Sequence, residues 1–397
     1  MEIILNILWV ALQVSIGIYL VFPIMLYLFY SLVKKKFEVG DETPSIADYA
    51  IIVTAYEQTD GLHAVVASLL KLNYTNYLIY IVADKCDVSG LQFGDNRVII
   101  LRPPEALSSN TKSHFYAINH FVRPHNRLTI IDSDNLTDTN YLQELDHFFD
   151  RGFEAVQGVR MAKNLDTTLA CLDAARDIYY HFYDGKILFA SGSSATLAGS
   201  GMAFTTQLYK ECLEHLDISG AGFDKVLQAE ILKKNKRIAF AEKAIVYDEK
   251  TTQSDQLVNQ RARWINTWFK YFKFGFSILA KGLLNGSRNQ LLFGIVLLRP
   301  PLFIFLILSV GLLLLNVFLN PLVSIVWLAA LLLFVVGFVL ALQKSHTDKK
   351  VYNSLVNIPR FMFYQVISLI HSGKANKRSV ATKHYNVTGI DDIKKEL

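Results

Sequence analysis

Three long apolar runs constrain how this chain can fold. Ile3–Val33 is interrupted by only a few polar residues, such as Asn6 and Gln13. Leu291–Leu319 and Leu322–Leu342 follow much later, separated by the turn signal Asn320-Pro321. A helix needs about 20 apolar residues to cross a bilayer, so each run reads as a span and the last two as a transmembrane hairpin. The first run is too long for a signal-peptide core, and no small-residue cleavage site follows it. Lys34, Lys35 and Lys36 come directly after it. Lys270, Lys273 and Lys281 precede the hairpin, and Lys344, Lys349 and Lys350 follow it. Positive charge stays on the cytoplasmic side. The N-terminus is therefore expected outside, and both ends of the hairpin and everything between the first and second spans are expected in the cytoplasm. In the second run, Arg299-Pro300-Pro301 breaks the apolar character. An arginine at membrane depth is costly, so Arg299 is expected at the cytoplasmic boundary, with the span starting near Pro300 and Leu291–Leu298 interfacial or tilted.

Hydrophobic residues make up 52% of the 397, which suits one water-facing domain plus spans rather than a wholly soluble or wholly membrane protein. The net charge of +5 does not suggest a nucleic-acid partner, whose signature is a strong basic stripe. Cys86, Cys171 and Cys212 lack metal-binding spacing and read as reduced thiols.

Between the spans, strand and helix patterns alternate. Ala50–Val53, Tyr77–Val82, Val98–Leu101 and Leu128–Ile131 read as strands, while Leu62–Leu72 and Ser113–Val122 carry helical spacing. This alternation predicts an α/β fold with a mostly parallel sheet covered on both faces. From Trp264 to Leu279, aromatic residues interleave with lysines, and Arg360, Phe361, Phe363 and Tyr364 repeat the pattern later. Both segments are expected to be helices lying in the headgroup region. The expected division is a membrane helix at 1–34, a cytosolic catalytic domain at 45–260, an interfacial helix at 261–288, the hairpin at 289–343, a second interfacial helix at 351–372 and a cytosolic tail at 373–397.

Asp132-Ser133-Asp134 follows directly on a predicted strand, where ligand sites of open α/β sheets lie. Strand alternation turns Asp132 and Asp134 to one side, and two such carboxylates suit Mg²⁺ or Mn²⁺. Tyr56, Glu57 and Asp84 also stand at strand ends and are candidates to hold a nucleotide's base and ribose, while Lys112 near a helix start is a candidate for phosphate. Gly199, Ser200 and Gly201 open a small-residue loop that permits close ligand approach. Asp224, after Gly220-Ala221-Gly222-Phe223, is either a catalytic base or a helix N-cap for Lys225–Lys234. Gln260, Arg263 and Trp264 share a helix face. They offer an amide, a permanent cation for a diphosphate and a flat apolar surface for a sugar.

In this order the residues resemble the family 2 glycosyltransferases, in particular the membrane-embedded synthases with a Q-x-x-R-W signature, such as cellulose, chitin, hyaluronan and poly-N-acetylglucosamine synthases. The resemblance spans roughly residues 48–283. It implies a GT-A fold, a UDP-sugar donor, a divalent metal and inversion at the anomeric carbon. Glu57 and Asp84 would hold uridine, Asp132 and Asp134 the diphosphate and metal, and the Gly199–Phe204 loop would border the acceptor. Asp224 would be the base, with Gln260, Arg263 and Trp264 closing the site. Two features depart from the pattern: the family often has Thr-Glu-Asp where this chain has Gly222-Phe223-Asp224, and polymer synthases usually have more spans after the catalytic domain. The expected product is a polysaccharide or glycolipid made at the inner membrane, with a homo-oligomer or an export partner supplying any pore. The alternatives are a single transfer to a lipid acceptor and a non-catalytic membrane scaffold.

Overall fold

Clusters of β-branched and aromatic residues fix the strands. In the computed structural model, which describes residues 2–33, 46–218, 220–373, 375 and 389–396, Tyr49–Tyr56 forms β1 and Tyr77–Asp84 forms β2, both almost wholly buried. Helix α1 (Glu2–Val33) precedes them, and α2 (Leu62–Leu70) joins them. β3 (Val98–Leu101), α3 (Asn110–Asn119), β4 (Arg127–Asp132), β5 (Leu136–Thr137), α4 (Tyr141–Phe149) and β6 (Ala155–Ala162) follow. Next come α5 (Thr168–Tyr180), a π-helical turn (His181–Ile187) that leads into the short α6 (Leu188–Ala190), β7 (Met202–Thr205), α7 (Thr206–Leu213), α8 (Phe223–Lys233) and β8 (Ile238–Asp248). Lys34–Lys36, on which the expected orientation partly rests, lie outside the described residues, as does most of the 373–397 tail.

The strands form one sheet in the order β3-β2-β1-β4-β7-β6-β8-β5. β1, β2, β3 and β4 run parallel, as do β6 and β8, while β7 is antiparallel to both its neighbours. The mostly parallel α/β sheet agrees with the alternation in sequence. Its register matters for the site: Tyr56 pairs with Asp84, and Thr54 with Asp132. Three strands therefore end on one edge, and their terminal side chains face a common space.

The chain then becomes helical: α9 (Ser254–Tyr271), α10 (Phe274–Asn285), α11 (Arg288–Leu298), α12 (Leu302–Leu319), α13 (Pro321–Lys344), α14 (Lys349–Ser354), α15 (Ile358–His371) and α16 (Ile390–Glu396). The Trp264–Leu279 stretch, expected to be one helix, is two. The chain turns at Phe272–Lys273 so that α10 can pack on α11. Glycines set that packing, since a Cβ on Gly282 or Gly294 would lie 2.6 Å from Leu291 N or 2.8 Å from Leu279 N.

Among the described residues, three helices are long and apolar enough to cross a membrane: Glu2–Leu32, Leu302–Leu319 and Pro321–Lys344. Polar residues at their mutual contact are partnered. Gln13 Oε1 accepts hydrogen bonds from Asn316 Nδ2 at 2.8 Å and Trp327 Nε1 at 2.9 Å, which joins all three helices where water is scarce. Tyr183 of the π-helical turn donates to Gly337 O of α13 at 2.8 Å.

Arg299 lies between α11 and α12. It is buried and forks onto both carboxylate oxygens of Asp184 in the π-helical turn, with Nη1–Oδ1 at 3.1 Å. Breaking a buried pair leaves its partner charged and unsolvated, at a cost of about 3–5 kcal/mol. Arg299→Met is therefore expected to lower thermal stability in detergent by that order, and Arg299→Met/Asp184→Leu by clearly less. Equal melting temperatures for the single and the double variant would show that the pair does not tie the hairpin to the α/β domain.

Candidate functional site

The strand-end edge opens into one large cavity of about 1450 Å³ that continues to the membrane helices. Tyr56, Asp84, Asp132, Asp134, Gly199 and Asp224 line it, and Gln260, Arg263 and Trp264 line it from α9. Apolar residues of the membrane helices also line it, among them Leu302 and Leu306 of α12 and Phe334 and Phe338 of α13. The structure thus brings together residues from four strand ends and loops, α8 and α9.

Several expected residues stand elsewhere. Glu57 adopts φ +59° and pairs with Lys85 at 2.6 Å, off the cavity wall. The Lys85 hydrogen bond holds its carboxyl below the usual range. Lys112 is also off the wall, 3.9 Å from Asp217. Helix α3 starts at Asn110, with Ser109 as its N-cap, and turns that lysine outward. Ser200 is fully buried behind the wall, where its Oγ accepts the Asp132 N–H at 3.1 Å. Gly201 also lies behind the wall at φ +65°, and a Cβ there would meet Val246 at 2.8 Å. These two residues shape the loop rather than face a ligand.

Asp84 faces the cavity, and its two carboxylate oxygens accept the N–H groups of Leu107 (2.9 Å) and Ser108 (2.7 Å). It therefore also fixes the loop before α3. The Asp132–Asp134 turn is crowded by Gly61, where a Cβ would sit 2.8 Å from Ser133 O. The donors at this turn are all oxygens, which suits a hard divalent cation. Among the described residues no cluster of three or more metal-ligating side chains occurs, so a cation here would share its coordination with a ligand's phosphates. The two carboxylates fit that arrangement.

The loop before β7 is held from several sides. Ala198 N–H donates to Gln157 Oε1 at 2.9 Å, Leu197 N–H to Gln228 Oε1 at 3.1 Å, Arg160 Nη1 to Ala198 O at 2.7 Å, and Lys225 Nζ to Leu197 O at 3.0 Å. Asp224 is not the N-cap of α8. Gly222 is, at φ +98° and ψ +25°, and the helix starts at Phe223. This frees the Asp224 carboxylate, which is largely buried on the wall and 3.1 Å from Lys225 Nζ.

Sequence reasoning missed a buried ionic network beneath the site. Arg160 pairs with Asp248, Lys250 with Asp248 and Asp177, Arg176 with Asp177 and Asp173, and Arg261 with Asp173. Burial pushes the Asp177 carboxyl up, but Arg176, Lys250 and Arg160 outweigh it and hold it well below the carboxylate range. His181, also on the wall, is lowered by burial to about 4 and is neutral at pH 7. The signal in sequence was Asp173-x-x-Arg176-Asp177, charges on a helix that is otherwise largely apolar. Trp264 is part of this layer: the Arg261 and Arg176 guanidinium carbons lie 4.0 and 4.5 Å from its ring centroid.

The sequence profile of a family described as "Glycosyltransferase like family 2" matches residues 46–267. Among solved structures, the chain is similar to the mannosyltransferase PcManGT from Pyrobaculum calidifontis, seen in complex with GDP-Man and Mn²⁺. That likeness has 14% identity and a TM-score of 0.58, covering 90% of this chain and 98% of that one. It is a likeness of fold, and it identifies the α/β domain as GT-A-like. A chain of S. aureus TarS is also matched, at 14% identity and a TM-score of 0.37 over 83% of this chain and 90% of that one, too loosely to support an argument. No curated protein sequence matches.

Gly222 is the point where α8 meets α9. A Cβ there would approach Thr267 Cγ2 to 2.5 Å and Tyr271 Cε2 to 2.8 Å, at a positive φ. Gly222→Ala is expected to cost about 1–3 kcal/mol of stability through backbone strain, measured as a lowered melting temperature in detergent. An unchanged melting temperature would mean that α9 does not pin the start of α8.

Proposed function

The chain belongs to the glycosyltransferase-like family 2, and from that premise we propose an inverting transfer of a sugar from a nucleoside-diphosphate sugar to a hydroxyl of a membrane-borne acceptor. One observation carries this reading: strand-end carboxylates, Asp224 and the α9 residues Gln260, Arg263 and Trp264 share one cavity that continues into an apolar groove. A lipid acceptor, transferred to once, suits that groove better than a growing polysaccharide, the other reading drawn from the resemblance to Q-x-x-R-W synthases. That resemblance suggests a UDP-sugar donor. The GDP-Man of the similar mannosyltransferase makes a guanosine donor the second reading, and a sugar-nucleotide panel separates them.

In the proposed reaction the acceptor hydroxyl attacks the anomeric carbon from the side opposite the diphosphate. A new C–O bond forms as Asp224 takes the hydroxyl proton. The bond from the anomeric carbon to the diphosphate oxygen breaks, and the nucleoside diphosphate leaves with the electron pair. Arg263 would stabilise the charge that develops on the leaving group. A Mg²⁺ or Mn²⁺ ion bound by Asp132 and Asp134 would supply further charge neutralisation when present. Tyr56 and Asp84 would border the nucleoside, and Trp264 the acceptor. The proposed setting is the inner membrane, with the α/β domain cytoplasmic and the N-terminus outside. The interfacial helices would hold the site at the headgroup level.

Asp224→Asn is expected to lower kcat by roughly 10²–10⁴ while nucleotide affinity stays within about twofold, checked by nucleotide-release kinetics and titration with the nucleoside diphosphate. Retained turnover in that variant would remove Asp224 as the base. EDTA is expected to stop turnover and added Mn²⁺ or Mg²⁺ to restore it; full activity in excess chelator would exclude the metal role. A complete lack of nucleotide release across the panel would favour the non-catalytic scaffold.

A further inference from the structure

This inference rests on the transfer reading above and concerns what holds the proposed base in place. Asp224 stands in the first turn of α8, and the residues before it cannot orient its carboxylate. Gly222, the N-cap, has no side chain, and Phe223 has no polar side-chain atom. Among the described residues the carboxylate has one ion-pair partner, Lys225, whose Nζ lies 3.1 Å from Oδ2. Successive residues of a helix point about 100° apart, so neighbours do not ordinarily face each other. The lysine meets the carboxylate because its ammonium is drawn to a second acceptor. The same Nζ donates to Leu197 O, in the loop before β7, at 3.0 Å.

That acceptor is itself fixed. Three residues further along α8, Gln228 Oε1 accepts the N–H of the same Leu197 at 3.1 Å. Helix α8 therefore holds both the N–H and the C=O of one loop residue. Ala198, the next residue, is held from β6: its N–H donates to Gln157 Oε1 at 2.9 Å, and its carbonyl accepts from Arg160 Nη1 at 2.7 Å. The loop is thus a rigid reference point. It lines the cavity through Thr196, Leu197, Ala198 and Gly199, and Asp224 and Lys225 line the same cavity.

The pair is a poor stabiliser and a good positioner. The lysine side chain is 36% exposed and the aspartate 15%, and partly solvated pairs of this kind add little to folding. Position matters more. A base that must meet a hydroxyl attacking in line can lose about 10²-fold in rate for a misplacement of about 1 Å.

We propose that Lys225 is the positioning residue for the base. It fixes Oδ2 of Asp224 relative to the Leu197 carbonyl, so that Oδ1 is the oxygen presented to the acceptor hydroxyl and takes its proton. Lys225 touches neither substrate and exchanges no proton.

The test uses the full chain in detergent with a sugar nucleotide that it turns over. Lys225→Met is expected to lower kcat by about 10²-fold. The donor KM and the affinity for the nucleoside diphosphate are expected to stay within about twofold, and the melting temperature to stay unchanged. Lys225→Arg, which keeps donors for both oxygens, is expected to recover most of the loss. A residue that acts only through the base adds nothing once the carboxylate is gone. Asp224→Asn/Lys225→Met is therefore expected to be no slower than Asp224→Asn alone. Losses that multiply, or a weakened nucleoside diphosphate affinity in Lys225→Met, would overturn the proposal and assign Lys225 to the leaving diphosphate. Gln228→Met frees the Leu197 N–H without touching Asp224 and is expected to cost clearly less than Lys225→Met; an equal loss would overturn the proposal in favour of loop support alone. If Lys225→Met does not fold, Lys225→Gln, alone and with Asp224→Asn, is read in the same way. An unchanged kcat in the lysine variant would overturn this proposal and leave the transfer reading standing. No nucleotide release from the unaltered protein with any sugar nucleotide would overturn both.

Discussion

The chain of buried ion pairs from Asp248 through Arg160, Lys250, Asp177, Arg176 and Asp173 to Arg261 is what the rest of the molecule depends on. It joins β6 and β8 of the sheet to α5 and then to α9. An open α/β sheet presents its ligand edge to solvent, and here that edge is covered by a helix the sheet does not hydrogen-bond. The ionic layer supplies the missing registration. Such pairs are weak contributors to net stability, because desolvation offsets most of their attraction. Their value is geometric. A guanidinium fork accepts few arrangements, so α9 can dock in few ways, and Gln260, Arg263 and Trp264 are presented to the strand ends at a fixed height.

A second tie couples that arrangement to the spans. The π-helical turn after α5 carries Asp184, which binds Arg299 at the start of the hairpin, and Tyr183, which binds α13. A π turn is less stable than an α turn and persists where tertiary contacts support it. Here Gly185 lies so close to the Phe240 ring that a Cβ would approach it to 2.5 Å. The turn thus sits between β8 and the membrane helices. Displacement of the hairpin would be felt at His181 and Asp184, both on the cavity wall.

Much of the fold was legible in the sequence because its signals are local. The parallel strands follow from apolar runs ending in Tyr56, Asp84 and Asp132, and the spans from their length. Boundaries shifted where a cap decided them: Ser109 moved the start of α3, and Gly222 rather than Asp224 capped α8. The site was legible in part. Residues at strand ends, such as Asp132 and Asp134, announce their position through the strand itself. Glu57 and Lys112 carry the right chemistry one position away from the wall, and only backbone geometry, such as φ +59° at Glu57, reveals which way they turn. Arg261 was invisible for another reason. Its neighbour Arg263 carries the motif, and nothing local distinguishes an arginine buried against Asp173, 88 positions away, from one solvated on a helix.

That difference bears on how the site works. Arg263 and Arg261 are two apart on one helix and so face different directions. Arg263 would serve the leaving group, while Arg261 is anchored by Asp173 and stacked on Trp264 at 4.0 Å. The Trp264 indole has two guanidinium groups within 4.5 Å of its ring centroid, which hold its orientation. A sugar meeting Trp264 would therefore meet an aromatic edge or face whose orientation the ionic layer has already chosen. Helix docking and charge balance depend on the same few residues, so a change in any one of them is expected to alter both.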